Sequence, residues 1–169
     1  DDRGRGTEMT RPCDKWDRRF LELALLVRGW SKDPSTQHAT IIVEPGTRRV
    51  VSMGYNGFPR AMPDKPEYYD NREEKYSRVI HGEMNAILQA REPIHGMTAY
   101  VVSGVGCDRC VVHLLQAGIK RFVFMNGDAD YWERWGEAAE RSLGYLEECG
   151  CSYQIVDGET WQITRGYIG

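Results

Sequence analysis

Apolar positions along this chain follow two different periods, and each change of period marks an element. From Lys15 onward Trp16, Phe20, Leu23, Ala24 and Val27 recur at helical spacing, with Asp14 placed to cap the start and Gly29 to end it. Residues 38–43 and 49–53 read as two strands joined by the turn Glu44-Pro45-Gly46-Thr47, a hairpin. Residues 59–76 are polar, carry Pro59, Pro63 and Pro66, and predict a long loop. A helix is expected over 78–89, a strand over 98–103, and a helix over 107–117 ended by Gly118. A strand over 121–125, a helix over 131–148 and a strand over 152–156 complete the pattern. In the helix of 131–148, Trp132, Trp135, Ala139, Leu143 and Leu146 read as the side facing the core.

Alternation of helix and strand after the hairpin predicts an α/β fold of mostly parallel strands with helices on both faces. Residues 1–12, with three Arg, two Gly and little that is apolar, read as a flexible arm. Residues 13–169 then form a single domain.

Composition narrows the function classes. At 169 residues, 41% hydrophobic and 28% charged, the chain suits one soluble core. The balance of 22 Lys+Arg against 25 Asp+Glu, net −3, offers no general attraction to nucleic acid, and no such partner is expected. No apolar run approaches the roughly 18 residues of a membrane span, and no charged-then-apolar leader opens the sequence, so a cytoplasmic location is expected. Five cysteines are an odd number for a disulfide framework and read as reduced thiols, some of them holding a metal. Cys149 and Cys151, either side of Gly150, read as buried thiols.

The decisive residues are His81-Gly82-Glu83 and Cys107-Asp108-Arg109-Cys110. Cys107 and Cys110, three apart at the start of a predicted helix, can turn both sulfurs to one point. One imidazole and two thiolates leave the fourth position of a tetrahedral zinc open, which is the catalytic arrangement. His81 and Glu83 point about 200° apart on a regular helix, so they converge only if His81 sits at the helix entrance. That places the metal at the amino ends of two helices, whose dipoles favour thiolates. Glu83 then stays unligated as a proton carrier.

His-x-Glu followed by a Cys-x-x-Cys helix is the signature of zinc deaminases. With Ser31-Lys32-Asp33-Pro34, Gly54-Tyr55-Asn56-Gly57-Phe58-Pro59, Glu83-Met84-Asn85-Ala86-Ile87 and Gln116-Ala117-Gly118-Ile119-Lys120, the chain resembles the deoxycytidylate (dCMP) deaminases from about Trp16 to Val156. The resemblance implies a three-layer α/β/α cytidine-deaminase-like fold around a five-stranded mixed sheet. It implies zinc (Zn2+) held by His81, Cys107 and Cys110, with Glu83 moving protons. It also implies that Asn56, Lys32 and Asn85 bind the substrate, although Lys32 can equally support its own turn with Asp33. The implied reaction converts dCMP to dUMP and ammonia. A homo-oligomer and dCTP or dTTP effectors, with magnesium (Mg2+) accompanying the nucleotide, belong to the same expectation.

Four positions depart from the usual family words: Gly82 where Ala is usual, Gly106 where Pro is usual, Trp30 where Arg is common, and His38 at the opening of the first strand of the hairpin. None removes a ligand or Glu83. The rival readings are another cytosine substrate (5-modified dCMP, cytidine or CMP), adenine in tRNA, and a non-catalytic nucleotide-sensing zinc protein.

Overall fold

A computed structural model describes residues 7–102 and 104–169. Their elements run β1 (Thr7–Pro12), α1 (Lys15–Arg28), β2 (Ala39–Val43), β3 (Val50–Tyr55), α2 (Pro66–Asp70), α3 (Arg72–Arg78) and α4 (Gly82–Gln89). Then come β4 (Thr98–Val102), α5 (Asp108–Gln116), β5 (Arg121–Met125), α6 (Ala129–Glu148), β6 (Ser152–Val156) and β7 (Gln162–Tyr167). The strands form one sheet in the order β1-β7-β6-β5-β4-β2-β3.

The α/β class is as the alternation predicts, but the sheet has seven strands rather than five. It is also less parallel than expected: β4, β5 and β6 run parallel, and the other four pairings are antiparallel. The two further strands lie together at one edge. Their sequences, Thr-Glu-Met-Thr-Arg-Pro and Gln-Ile-Thr-Arg-Gly-Tyr, carry few apolar residues. They are held by backbone pairing, with Ile163 and Tyr167 of β7 packed on the core, a pattern too sparse for hydropathy to register. β7 turns back along β6, and β1 covers the outer edge of β7. Pro12 ends β1 on that edge, where a strand tolerates a missing N–H. Of the segment expected to be a flexible arm, residues 1–6 lie outside the described residues, and Thr7–Pro12 is this edge strand.

Burial explains the layers. β2 and β4 are buried at every position, because both faces of the sheet are covered. On one face Phe20, Leu21, Ala24 and Val27 of α1 pack on Ile41, Tyr100, Val102 and Val123. On the other, Ala86 of α4, Val111 and Leu114 of α5, and Leu143 and Leu146 of α6 pack on Val101, Phe122, Phe124 and Ile155. α1 starts as its sequence predicts: Asp14 accepts the N–H of Trp16 at 2.8 Å, and Gly29 is the C-cap. Asp17, 4% exposed, takes both guanidinium nitrogens of Arg121 (2.9 and 2.6 Å) and the Tyr100 hydroxyl (2.7 Å), fastening α1 to β4 and β5.

The polar stretch 59–76 is not wholly a loop. It contains α2, with Pro66 in its first turn, and leads into α3, capped by Asn71 through the N–H of Glu74 at 3.1 Å. α3 buries no residue fully, so no apolar stripe announced it. The helix expected from residue 78 begins instead at Gly82. The segment before it is extended, and Ile80 exchanges two backbone hydrogen bonds with Gly57.

Among the described residues no helix is long and apolar enough to cross a membrane.

Candidate active site

The backbone places the chemistry at two helix entrances. α4 lies flat on β3 because Gly54 has no side chain: a Cβ there would stand 2.2 Å from the Ala86 nitrogen. Ser52 Oγ donates to the Ala86 carbonyl (2.6 Å), and Asn85 Nδ2 donates to the Tyr55 carbonyl (2.8 Å). This docking presents His81, the extended N-cap of α4 (φ −68°, ψ 155°), and Glu83 one step inside the helix. Cys107 is the extended N-cap of α5 (φ −61°, ψ 149°), and its Sγ accepts the N–H of Cys110 at 3.2 Å. An extended residue at each entrance is what lets His81 and Glu83 converge despite their two-residue spacing.

The side chains meet. His81 Nδ1 lies 3.3 Å from Cys110 Sγ and 3.5 Å from Cys107 Sγ, and one ligand atom from each of His81, Glu83, Cys107 and Cys110 falls within 4.8 Å of all the others. Glu83 and Cys110 are buried. The thiols share a hydrogen bond: the bond from Cys110, then the one from His81, pull the Cys107 thiol well down, while Cys110 is pushed up by the same shared bond and by burial. The Cys107 hydrogen bond in turn raises His81. One imidazole and two sulfurs competing for protons fit a borderline-soft divalent ion, which replaces those protons. No second group of convergent metal-binding side chains occurs among the described residues.

His81, Glu83 and Cys107 line a cavity of about 950 Å3, with Cys110 clustered against them. His38 and Asn56 line it beside them. Asn56, 3% exposed, is a clamp: Oδ1 accepts the His38 N–H (2.8 Å), Nδ2 donates to the Thr36 carbonyl (2.8 Å), and its own carbonyl accepts from Ser31 Oγ (2.9 Å). It thereby fixes the 31–38 segment as a cavity wall. Burial pushes the His38 imidazole below its ordinary value, against the opposing pull of Glu83. The wall is held by Lys75 of α3, which also lines the cavity and whose ammonium contacts the buried Asp33 carboxylate at 2.8 and 3.0 Å and Ser35 Oγ at 3.1 Å.

The sequence itself matches the model of the cytidine and deoxycytidylate deaminase zinc-binding region over residues 14–126, two thirds of the chain. The chain belongs to this deaminase family. An uncharacterized deaminase of Aliivibrio fischeri is 37% identical over 136 residues, covering 80% of this chain and 90% of that one. The human deoxycytidylate deaminase is 32% identical over 118 residues, 66% of this chain and 65% of its own length, so this family member spans about two thirds of that relative. The dCMP deaminase of cyanophage S-TIM5, crystallised in complex with dCMP and dUMP, superposes with a TM-score of 0.65 at 18% identity, covering 86% of this chain and 100% of that one, a likeness of fold.

Within this deaminase-family site the expected residues take different places. His81, Glu83, Cys107 and Asn56 line the cavity, and Cys110 joins them from behind Cys107. Lys32 is outside the lining, exposed and paired with Asp64 at 2.6 Å, and Asn85 is spent on the Tyr55 carbonyl. Gly82 is tightly fitted: a Cβ would stand 3.2 Å from the Gly54 carbonyl and 3.3 Å from Ala39 Cα. Gly106 passes beside Glu83, where a Cβ would lie 3.8 Å from Oε2.

Sequence reasoning missed Lys75, which no motif marks, and the cavity-facing side of α6: Tyr131, Arg134, Trp135 and Ala138. Their i, i+3, i+4, i+7 spacing was the available signal. Trp135 is therefore not core; it is 52% exposed, while Trp132 packs inward and donates to Asn126 Oδ1 at 2.7 Å. Cys149 is likewise exposed rather than buried, and only Cys151 of that pair lies in the core.

Proposed function

We propose that the chain deaminates dCMP hydrolytically, yielding dUMP and ammonia, on a three-layer cytidine-deaminase-like fold. The observation that carries this reading is the convergence of His81, Cys107 and Cys110 beside the buried Glu83 on a nucleotide-sized cavity. The names of the deoxycytidylate deaminase relatives support the substrate.

His81, Cys107 and Cys110 would hold zinc, which would supply the Lewis acidity that makes water a nucleophile near neutral pH. Glu83 takes the proton of the attacking water on its carboxylate and delivers it to N3 of cytosine, so that C4 becomes more electrophilic. After attack at C4, the same carboxylate takes the remaining proton of the added hydroxyl and passes it to the amine, which leaves as ammonia while the C4 carbonyl forms. Asn56 keeps one Nδ2 proton and one Oδ1 lone pair for the nucleoside beyond its two wall contacts. Lys32 and Asn85 act through what they hold, the Asp64 loop and the docking of α4 on β3. Tyr131 closes the cavity beside Glu83, its hydroxyl donating to the Val105 carbonyl at 2.7 Å.

Ammonia release from dCMP, CMP, deoxycytidine and 5-methyl-dCMP by protein of known zinc content tests this. The expected result is highest kcat/KM on dCMP. Glu83→Gln should retain zinc and lose at least about a hundredfold in kcat. Faster turnover of free deoxycytidine than of dCMP would reject the substrate assignment, and a fully active Glu83→Gln would reject the proton carrier.

A further inference from the structure

α6 forms one side of the cavity. Its first turn holds Tyr131, whose phenol is raised by burial first and then by the charges of Glu83 and Cys107. One helical turn on, about 5.4 Å along the axis, stand Arg134 and Trp135, both on the cavity wall and both more than half exposed. A nucleotide whose base reaches Glu83 must extend its sugar and phosphate toward solvent, so the exposed cations of the cavity wall decide what anion it accepts.

The three cavity cations of Lys or Arg type differ in what already holds them. Lys75 is committed to Asp33 and Ser35 by two hydrogen bonds and a buried ion pair. Arg28, at the end of α1, stands near enough to His38 to bear on its charge, and it has interactions of its own. Among the described residues Arg134 pairs with Asp130 of its own helix alone, at 3.8 Å, both groups largely in solvent. Such an exposed i,i+4 pair is weak and readily exchanged for a better anion. Asp128 and Asp130 line the same cavity at the start of α6, and Asp128 is tied to the Tyr131 N–H at 2.8 Å.

From this placement we infer that Arg134 is the specificity-determining residue for a single phosphate on the nucleotide. The phosphate monoester displaces Asp130 from the guanidinium and takes its forked donors. A second or third phosphate meets Asp128 and Asp130 instead of a cation, so the site accepts the monophosphate and disfavours polyphosphates. This deepens the dCMP reading and rests on it.

The test uses ligands that do not react. Zinc-loaded wild type, Arg134→Gln, Arg134→Lys and Asp130→Asn are titrated calorimetrically with deoxyuridine, dUMP and dUTP. Wild type is expected to bind dUMP at least about tenfold more tightly than deoxyuridine and more tightly than dUTP. Arg134→Gln should reduce the dUMP-to-deoxyuridine affinity ratio about tenfold, and Arg134→Lys should restore part of it. Asp130→Asn should raise dUMP affinity and narrow the gap to dUTP. Arg134 is exposed enough that its replacement leaves the fold alone, which a melting curve checks. An unchanged ratio in Arg134→Gln, equal loss of both ligands, or a wild type that shows no preference for dUMP would overturn the assignment. Absence of deamination in the separate ammonia assay would overturn the catalytic reading while leaving this ratio measurable.

Discussion

Two neighbouring parts of the cavity are built on different principles. The donor cluster of His81, Glu83, Cys107 and Cys110 is placed by backbone: two extended N-caps, and a helix laid on a glycine. The wall of residues 31–38 is placed by side chains that span long sequence distances, Asp33 to Lys75 and Asn56 to Thr36 and His38. The donor cluster therefore has little adjustable geometry. The wall can change its contacts through a few side chains, and so suits the reading of the substrate.

Removing a thiol should test the donor cluster most severely. Cys110→Ala is expected to lose stoichiometric zinc, measured by metal analysis, and about a thousandfold or more in kcat/KM. Retention of both would break the assignment of that cluster.

On the wall the largest effect should come from Lys75→Met, which leaves the Asp33 carboxylate buried without its cation. A loss of about 3 kcal/mol is expected, at the low end for a broken buried pair because the Lys75 side chain keeps 12% exposure. Zinc content should stay stoichiometric and KM for dCMP should rise more than kcat falls. If zinc is lost with the wall, the two parts are one cooperative unit and the contrast fails.

The same pair gives a pH dependence. Burial pushes the Asp33 carboxyl up, but the Lys75 hydrogen bond and the N–H groups of Ser35 and Thr36 outweigh it and hold the group below its ordinary value. Its folded value is depressed, so its contribution is present above the unfolded value near 4 and is lost as pH falls through the folded value. Acid unfolding followed by circular dichroism should begin below about pH 4 for this group, and its midpoint should move upward in Lys75→Met.

Asn56→Ala should cost about 1–3 kcal/mol by leaving the His38 N–H and Thr36 carbonyl unpartnered, and should raise KM. The smallest effect belongs to Lys32→Ala: the side chain is exposed and outside the cavity, so melting temperature and KM should both match wild type. A raised KM would return Lys32 to the substrate.

Local patterns in the chain were enough to locate the metal donors, the helix caps Asp14 and Gly29, and five strands. Each depends on residues within one turn, one hairpin or one apolar run. The motif also required His81 at a helix entrance, since its spacing to Glu83 allowed no other convergence, and α4 begins one residue later. The edge pair β1–β7 escaped because backbone pairing of polar strands leaves no hydrophobic period. α3 escaped because a helix that buries nothing has no stripe.

What the sequence by itself determined was thus which donor groups come together: His81, Glu83, Cys107 and Cys110. Tertiary structure alone decided which residues bound the substrate space. Lys75 meets Asp33 across 42 residues, and one face of α6 turns Arg134 and Trp135 to the cavity while its neighbour holds the core. The reason is physical: ligand convergence at a helix entrance is a short-range property of spacing and dihedral angle, whereas a cavity wall exists only where distant segments are packed together.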